Sequence, residues 1–183
     1  MVPKNEKIYE DSIILIGPSG AGKSTVAKEL ASRTSMPRLC LDSIANAMLE
    51  NKDLMKKFSN SDEFYEYLIE FTLEQVQVPG ICDFGAGHSV FDNYENYSRV
   101  KEKLAPFQNI ILLLPSNDIK HSLDILNERT TSNVGKTENL KILQNPCNEN
   151  LATIVFYTNN KGPNQISEEI LKLIDEKREV KNI

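Results

Sequence analysis

Short apolar runs alternate along the chain with longer stretches in which apolar residues recur every three to four positions. Runs of four to seven bounded by turn residues predict strands buried on both faces, and the longer period predicts helices with one inward stripe. Five strands are expected: Ser12–Ile16, Arg38–Leu41, Gly80–Asp83, Asn109–Leu114 and Leu151–Tyr157. Between the second and third, a helical stretch from Ser43 to Val78 should break near Ser59-Asn60-Ser61. Its last part turns Phe64, Leu68, Leu73 and Val76 inward and stops at Pro79-Gly80. Further helices are predicted from near Asn93, from Asn117 to Arg129 with Ile119, Leu123 and Leu126 inward, and from Asn164 to Val180 with Ile166, Ile170, Leu171 and Ile174 inward. This rhythm predicts a three-layer α/β/α fold around a five-stranded parallel sheet.

One segment escapes the rhythm. Thr131 to Asn150 is polar, carries Ser132-Asn133, Gly135-Lys136 and Asn145-Pro146, and has only a brief helical pattern at Leu140–Leu143. A loop of that length inside a compact domain is usually functional, so a mobile lid is expected there, within a single domain spanning residues 1–183.

Directly after Ile13-Ile14-Leu15-Ile16 comes Gly17-Pro18-Ser19-Gly20-Ala21-Gly22-Lys23-Ser24-Thr25, followed by Val26, Ala27, Leu30 and Ala31 at helical spacing. The match to G-x-x-x-x-G-K-[ST] therefore sits between a strand and a helix, where a phosphate loop belongs. Its backbone N–H groups can curl around a polyphosphate at the helix N-terminus, Lys23 adds a mobile positive charge, and Ser24 offers a hydroxyl to Mg²⁺.

In an open parallel sheet, ligands sit beyond the carboxyl ends of the strands. The second strand delivers Asp42 there, and the third delivers Asp83 and then Phe84-Gly85-Ala86-Gly87-His88. A carboxylate at such a place either helps hold Mg²⁺, usually through water, or takes the proton of an attacking hydroxyl. Spacing alone leaves both jobs open, as it leaves open a plain N-cap or turn role. Asp42 is favoured near metal and acceptor, and Asp83 occupies the Walker-B-like position.

Charge and cysteines narrow the class. With 21 Lys+Arg against 26 Asp+Glu the chain carries −5, which argues against nucleic acid or an anionic membrane surface as the main partner and leaves small phosphorylated ligands compatible. Cys40, Cys82 and Cys147 are odd in number and form no C-x-x-C, so buried free thiols are expected. Residues 1–11 show no signal-peptide core and no run reaches the length of a membrane span, so a cytoplasmic location is expected. A GTPase is excluded because Ala86 stands where D-x-x-G needs glycine after Asp83, and Asn160-Lys161 runs into Gly162-Pro163. Asp83-Phe84-Gly85 lacks the H-R-D of protein kinases.

These residues resemble the phosphate-loop kinases of small molecules and nucleoside monophosphates, shikimate kinase among them, over nearly the whole chain. Gly17–Thr25 looks like that family's nucleotide loop, Leu41-Asp42-Ser43 like its aspartate after the second strand, and Phe84-Gly85-Ala86-Gly87-His88-Ser89-Val90 like its glycine-rich acceptor loop. The resemblance implies ATP and Mg²⁺ as cofactors, Arg129 stacked on the adenine, Thr131–Asn150 as the closing lid, and Tyr157-Thr158-Asn159-Asn160-Lys161-Gly162-Pro163 beside the base. It implies a metal shell of Ser24, Asp42 and Asp83, and catalysis by Lys23, Asp42, Asp83 and Arg129. For the acceptor, Asp42, Tyr65, Gly85, Ala86, Gly87, His88 and Arg99 are the candidates, with Glu66 beside them.

Departures from the family pattern bear on the acceptor. Shikimate kinases carry a second acidic residue two positions after the first aspartate, where this chain has Ile44, and they present arginines from the helix before the third strand and from the lid. Here that helix reads Phe64-Tyr65-Glu66-Tyr67, and beyond Arg129 the lid has Lys136 and Lys141 but no arginine. Lysine does not replace the guanidinium fork that grips a carboxylate or phosphate. The expected activity is transfer of the γ-phosphate of ATP to a hydroxyl of a small molecule other than shikimate. The rival readings are a nucleotide-binding regulatory or scaffold protein and a slow ATPase.

Overall fold

The computed structural model describes residues 4–158 and 160–181. Its centre is β1 (Ile13–Ile16), four buried apolar residues that pair with parallel neighbours on both sides. Next to it run β3 (Ile81–Asp83) and β4 (Asn109–Leu114), and β2 (Arg38–Cys40) and β5 (Ile154–Tyr157) form the edges, giving the order β2-β3-β1-β4-β5 with every pairing parallel. Ile14 stands opposite Cys82 on one side and Ile110 on the other. An all-parallel sheet must be covered on both faces. Helices α2 (Lys23–Thr34) and α10 (Pro163–Lys181) cover one, burying Val26, Leu30, Ile166 and Ile170 against Ile13 and Leu15. On the other, α3 (Leu41–Leu49), α5 (Ser61–Glu74) and α6 (Tyr94–Leu104) bury Leu41, Leu68, Val100 and Leu104 against Ile14 and Ile16.

Several boundaries differ from the sequence expectation for local reasons. The stretch 43–78 breaks twice, around the short α4 (Lys52–Met55), because both Asn51 and Asn60 act as N-caps whose side-chain oxygens accept the amides of Leu54 and Glu63. In α7 (Ile119–Arg129) the cap is Asp118, which turns Ile119 outward; Ser122 is buried in its place and donates its hydroxyl to the Ser116 carbonyl. Leu151 ends α9 (Cys147–Leu151) and does not begin β5.

A short helix α1 (Lys4–Asp11), with no clear pattern in the sequence, sets Tyr9 edge-on to Phe107. The segment expected to be a mobile loop contains α8 (Asn133–Gln144), capped by the Ser132 hydroxyl. Cys82 and Cys147 are buried and Cys40 half-buried, all as free thiols, and burial pushes the Cys82 thiol up to about 12. Among the described residues no helix is long and apolar enough to cross a membrane.

Candidate active site

All the chemistry gathers at the carboxyl ends of β1, β2 and β3. The chain leaves β1 through Gly17, whose φ of 135° and close approach exclude a side chain: a Cβ there would lie 2.6 Å from the Leu113 carbonyl oxygen of β4. The following residues curl into α2, which begins at Gly22 with no side-chain cap. Helices α4, α5, α6, α7 and α8, in contrast, each have an Asn, Asp or Ser side chain accepting a first-turn amide. The first amides of a helix have no partner within it, so the start of α2 presents open donors and the positive end of the dipole to the cleft.

Lys23 lies at that point, only 7 % exposed, with Nζ donating to the carbonyl oxygens of Gly17 and Pro18 at 2.8 Å each. Burial pushes its ammonium down from the ordinary 10.5 to about 8, against the opposing attraction of Asp83 and Asp42. Ser24, Thr25, Asp42, Ala86 and Arg129 line the same cleft, a cavity of about 360 Å³.

The two aspartates have different surroundings. Asp83 is 2 % exposed, and Oδ2 accepts a hydrogen bond from Arg38 Nη2 at 2.5 Å. Arg38 and Asp83 come from adjacent strands on the same face of the sheet. Asp42, in the first turn of α3, has a side chain 57 % exposed and 3.7 Å from His88 Nε2. It lines both the loop cleft and a neighbouring cavity of about 640 Å³, shared with Asn46, Phe58, Tyr65 and His88. A third cavity of about 410 Å³, between α5 and α8, holds Asp62, Tyr65, Gly87, Asp92, Glu138 and Lys141.

Gly85 explains how Asp42 and His88 converge. A Cβ at this position would stand 1.9 Å from Asp42 Oδ1 and 2.6 Å from His88 Cε1. His88 is itself buried, with Nδ1 lacking a partner among the described residues. Burial first, and Lys23 after it, hold the imidazole below its ordinary pKa despite Asp42, so it is neutral at pH 7. Tyr65 stacks obliquely on His88 with ring centroids 4.8 Å apart. Burial, then Glu138, Asp42 and Asp62, raise the pKa of its phenol.

The remaining sequence candidates fall as follows. Arg99 is not in either cavity beside Asp42: Nε binds Glu66 at 2.6 Å and Nη1 binds Glu95 at 2.8 Å. Glu66 is thereby held between α5 and α6, where it also accepts from Asn96 Nδ2 at 2.8 Å. Gly162 and Pro163 stand at the start of α10 and line none of these cavities. Asn159 of the loop before them lies outside the described residues. Arg33 and Arg178 pair with Glu29 and Asp11, and Arg129 lines the loop cleft, so among the described residues no arginine lines the 640 Å³ or the 410 Å³ cavity. Sequence reasoning missed Asp62, Asp92, Glu138 and Asn139, whose spacing carried no motif.

The chain matches the model of a family described as AAA domain over residues 13–78, which span the loop and its strands. A shikimate kinase from Enterococcus faecalis is 29 % identical over 177 residues, covering 91 % of this chain and 99 % of the relative. Among solved structures, a shikimate kinase from Acinetobacter baumannii in complex with shikimate superposes with a TM-score of 0.68 at 18 % identity, over 96 % of this chain and 98 % of that one. A gluconokinase from Sinorhizobium meliloti 1021 gives 0.57 at 15 % identity, over 92 % and 93 %. In its loop, its sheet order and these likenesses, the chain is similar to P-loop kinases, shikimate kinase among them.

Proposed function

We propose that the chain transfers the γ-phosphate of ATP to a hydroxyl of a small molecule that carries neither carboxylate nor phosphate. One observation carries this reading: the cleft over Lys23 and the 640 Å³ cavity share Asp42, so a nucleotide and an acceptor can meet across one carboxylate. The acceptor hydroxyl attacks the γ-phosphorus, its proton passes to Asp42, and the bond to the β–γ bridging oxygen breaks to release ADP. Lys23 and the amides at the start of α2 hold the phosphates, and Arg129 lies against the nucleotide. Neutral His88, wedged beside Gly85, sets the direction from which Asp42 approaches.

The donor set fits Mg²⁺, which needs few protein ligands because it keeps water and phosphate oxygens. Ser24 and Asp42 are the cleft residues that would hold it. Asp83, bound to Arg38, acts on Lys23 or through water. When bound, the ion neutralises phosphate charge.

The walls around Tyr65 supply Asp42, Asp62, Asp92 and Glu138 against Lys141, which is itself paired to Asp92 at 2.9 Å. Such a lining repels an anionic acceptor and suits a neutral or cationic polyhydroxy compound. The free thiols suit a reducing cytoplasm.

An ATP-consumption screen over neutral, cationic and anionic hydroxyl compounds, shikimate included, with nucleotide calorimetry alongside, tests this. Transfer to a neutral or cationic acceptor is expected. Transfer to shikimate alone overturns the acceptor class, nucleotide binding without transfer to any compound favours the regulatory reading, and phosphate release without acceptor favours the ATPase.

Lys23 also predicts a pH dependence. Phosphates favour the charged ammonium, so above pH 8 nucleotide binding must draw a proton onto Lys23. Affinity is expected to be flat below pH 8 and to fall up to about tenfold per pH unit above it, read by calorimetry from pH 7 to 9.5. A flat profile, or the same slope in Lys23→Met, excludes Lys23 as the source.

A further inference from the structure

We propose that Asn139 is a positioning residue that ties α8 to the phosphate loop and so couples nucleotide binding to the ordering of the 410 Å³ cavity, which meets the acceptor cavity at Tyr65. The proposal rests on the kinase reading above. Helix α8 is mostly exposed, yet Asn139 is fully buried in it. A buried amide is costly unless its polar atoms are paired. Here Oδ1 accepts the Ser19 backbone N–H at 3.0 Å, and Nδ2 donates to Thr130 Oγ1 at 3.5 Å. The Ser19 N–H can only donate, which fixes the amide orientation.

Ser19 is the third residue of the phosphate loop and lines both the nucleotide cleft and the cavity under α8. One turn before Asn139, Gly135 meets the same residue: a Cβ there would lie 3.3 Å from Ser19 Oγ and 2.8 Å from Thr130 Cγ2. Positions four apart share a helix face, so Gly135 and Asn139 form one contact strip against the loop. On the other side of α8, Lys141 reaches Asp92 at 2.9 Å. The helix therefore bridges the loop and the far wall of the cavity that Gly135, Glu138, Lys141 and Ile142 help to line. Any change in the Ser19 peptide on phosphate binding is transmitted through one hydrogen bond to that wall.

Hydrogen exchange on the full chain, with and without a non-hydrolysable ATP analogue, reads the coupling. In the parent, the analogue is expected to slow exchange in residues 17–25 and in residues 133–144. In Asn139→Ala it should still protect 17–25 but no longer add protection to α8, and acceptor KM should rise about tenfold with kcat and nucleotide Kd little changed. Asn139→Asp keeps an acceptor for the Ser19 amide and should restore the nucleotide-dependent protection of α8, while its charge beside the loop weakens analogue binding. Equal α8 protection in parent and Asn139→Ala overturns the coupling. Protection of α8 missing from both variants as well as the parent, with 17–25 protected, also overturns it but leaves the nucleotide site standing. No protection of 17–25 in the parent overturns the nucleotide-site reading and the coupling with it.

Discussion

Lys23→Met is expected to melt no lower than the parent while losing phosphoryl transfer by about 10³-fold or more. Both halves follow from the same burial. Holding the ammonium where it prefers to ionise near pH 8 costs the fold about 3 kcal/mol at pH 7 relative to the ordinary value of 10.5. Methionine keeps the apolar stem and removes that penalty, offset in part by the two carbonyls that lose their donor. The folded-state pKa is the depressed one, so the parent should gain stability as pH rises from 8 toward 10.5, and the variant should not. Thermal melts across that range, with transfer assays at pH 7.5, check both statements. A variant that transfers phosphate at the parent's rate would remove Lys23 from the site, and one that melts far lower would make it a structural residue. Stability withheld at a functional position in this way is the usual trade between folding and activity.

Gly85→Ala is expected to lower kcat by about 10²-fold with nucleotide Kd within about threefold of the parent. The added methyl cannot coexist with Asp42 Oδ1 at 1.9 Å, and His88 is too buried to yield. Asp42 is the exposed partner, so it rotates into solvent and the fold survives. The backbone of Gly85 is not in the left-handed region, so the effect comes from crowding and not from strain. A double-mutant cycle with Asp42→Asn is the decisive measurement. If the methyl acts by displacing Asp42, it should cost little once Asp42 is already disabled; additive losses would place its effect elsewhere.

The sheet was legible because its strands are short apolar runs and the loop between β1 and α2 is written in glycines and Lys23. Asn109–Leu114 carries five buried residues in sequence, and its boundaries match the structure to the residue. Helix α8 was not legible, because its buried face consists of Asn139 and Ile142, and an inward asparagine breaks the apolar period by which a helix is recognised. Ile119 misled for the opposite reason: it fits the period of α7, but Asp118 caps the helix and Ser122 finds a backbone partner inside. Arg99 is an acceptor candidate in the sequence, but one-dimensional order says nothing about which carboxylate is nearer. Glu66 and Glu95, on α5 and on the preceding turn of α6, were nearer.

The start of α2 has one more consequence. Among the described residues no side chain caps that helix end; under the proposed function a nucleotide would complete it, and the protein's resistance to unfolding would then depend on the supply of that ligand. A nucleotide present at a hundred times its dissociation constant adds about 2.7 kcal/mol, a large share of a small domain's margin. Where triphosphates fall, a larger fraction of the chain would be unfolded and open to turnover.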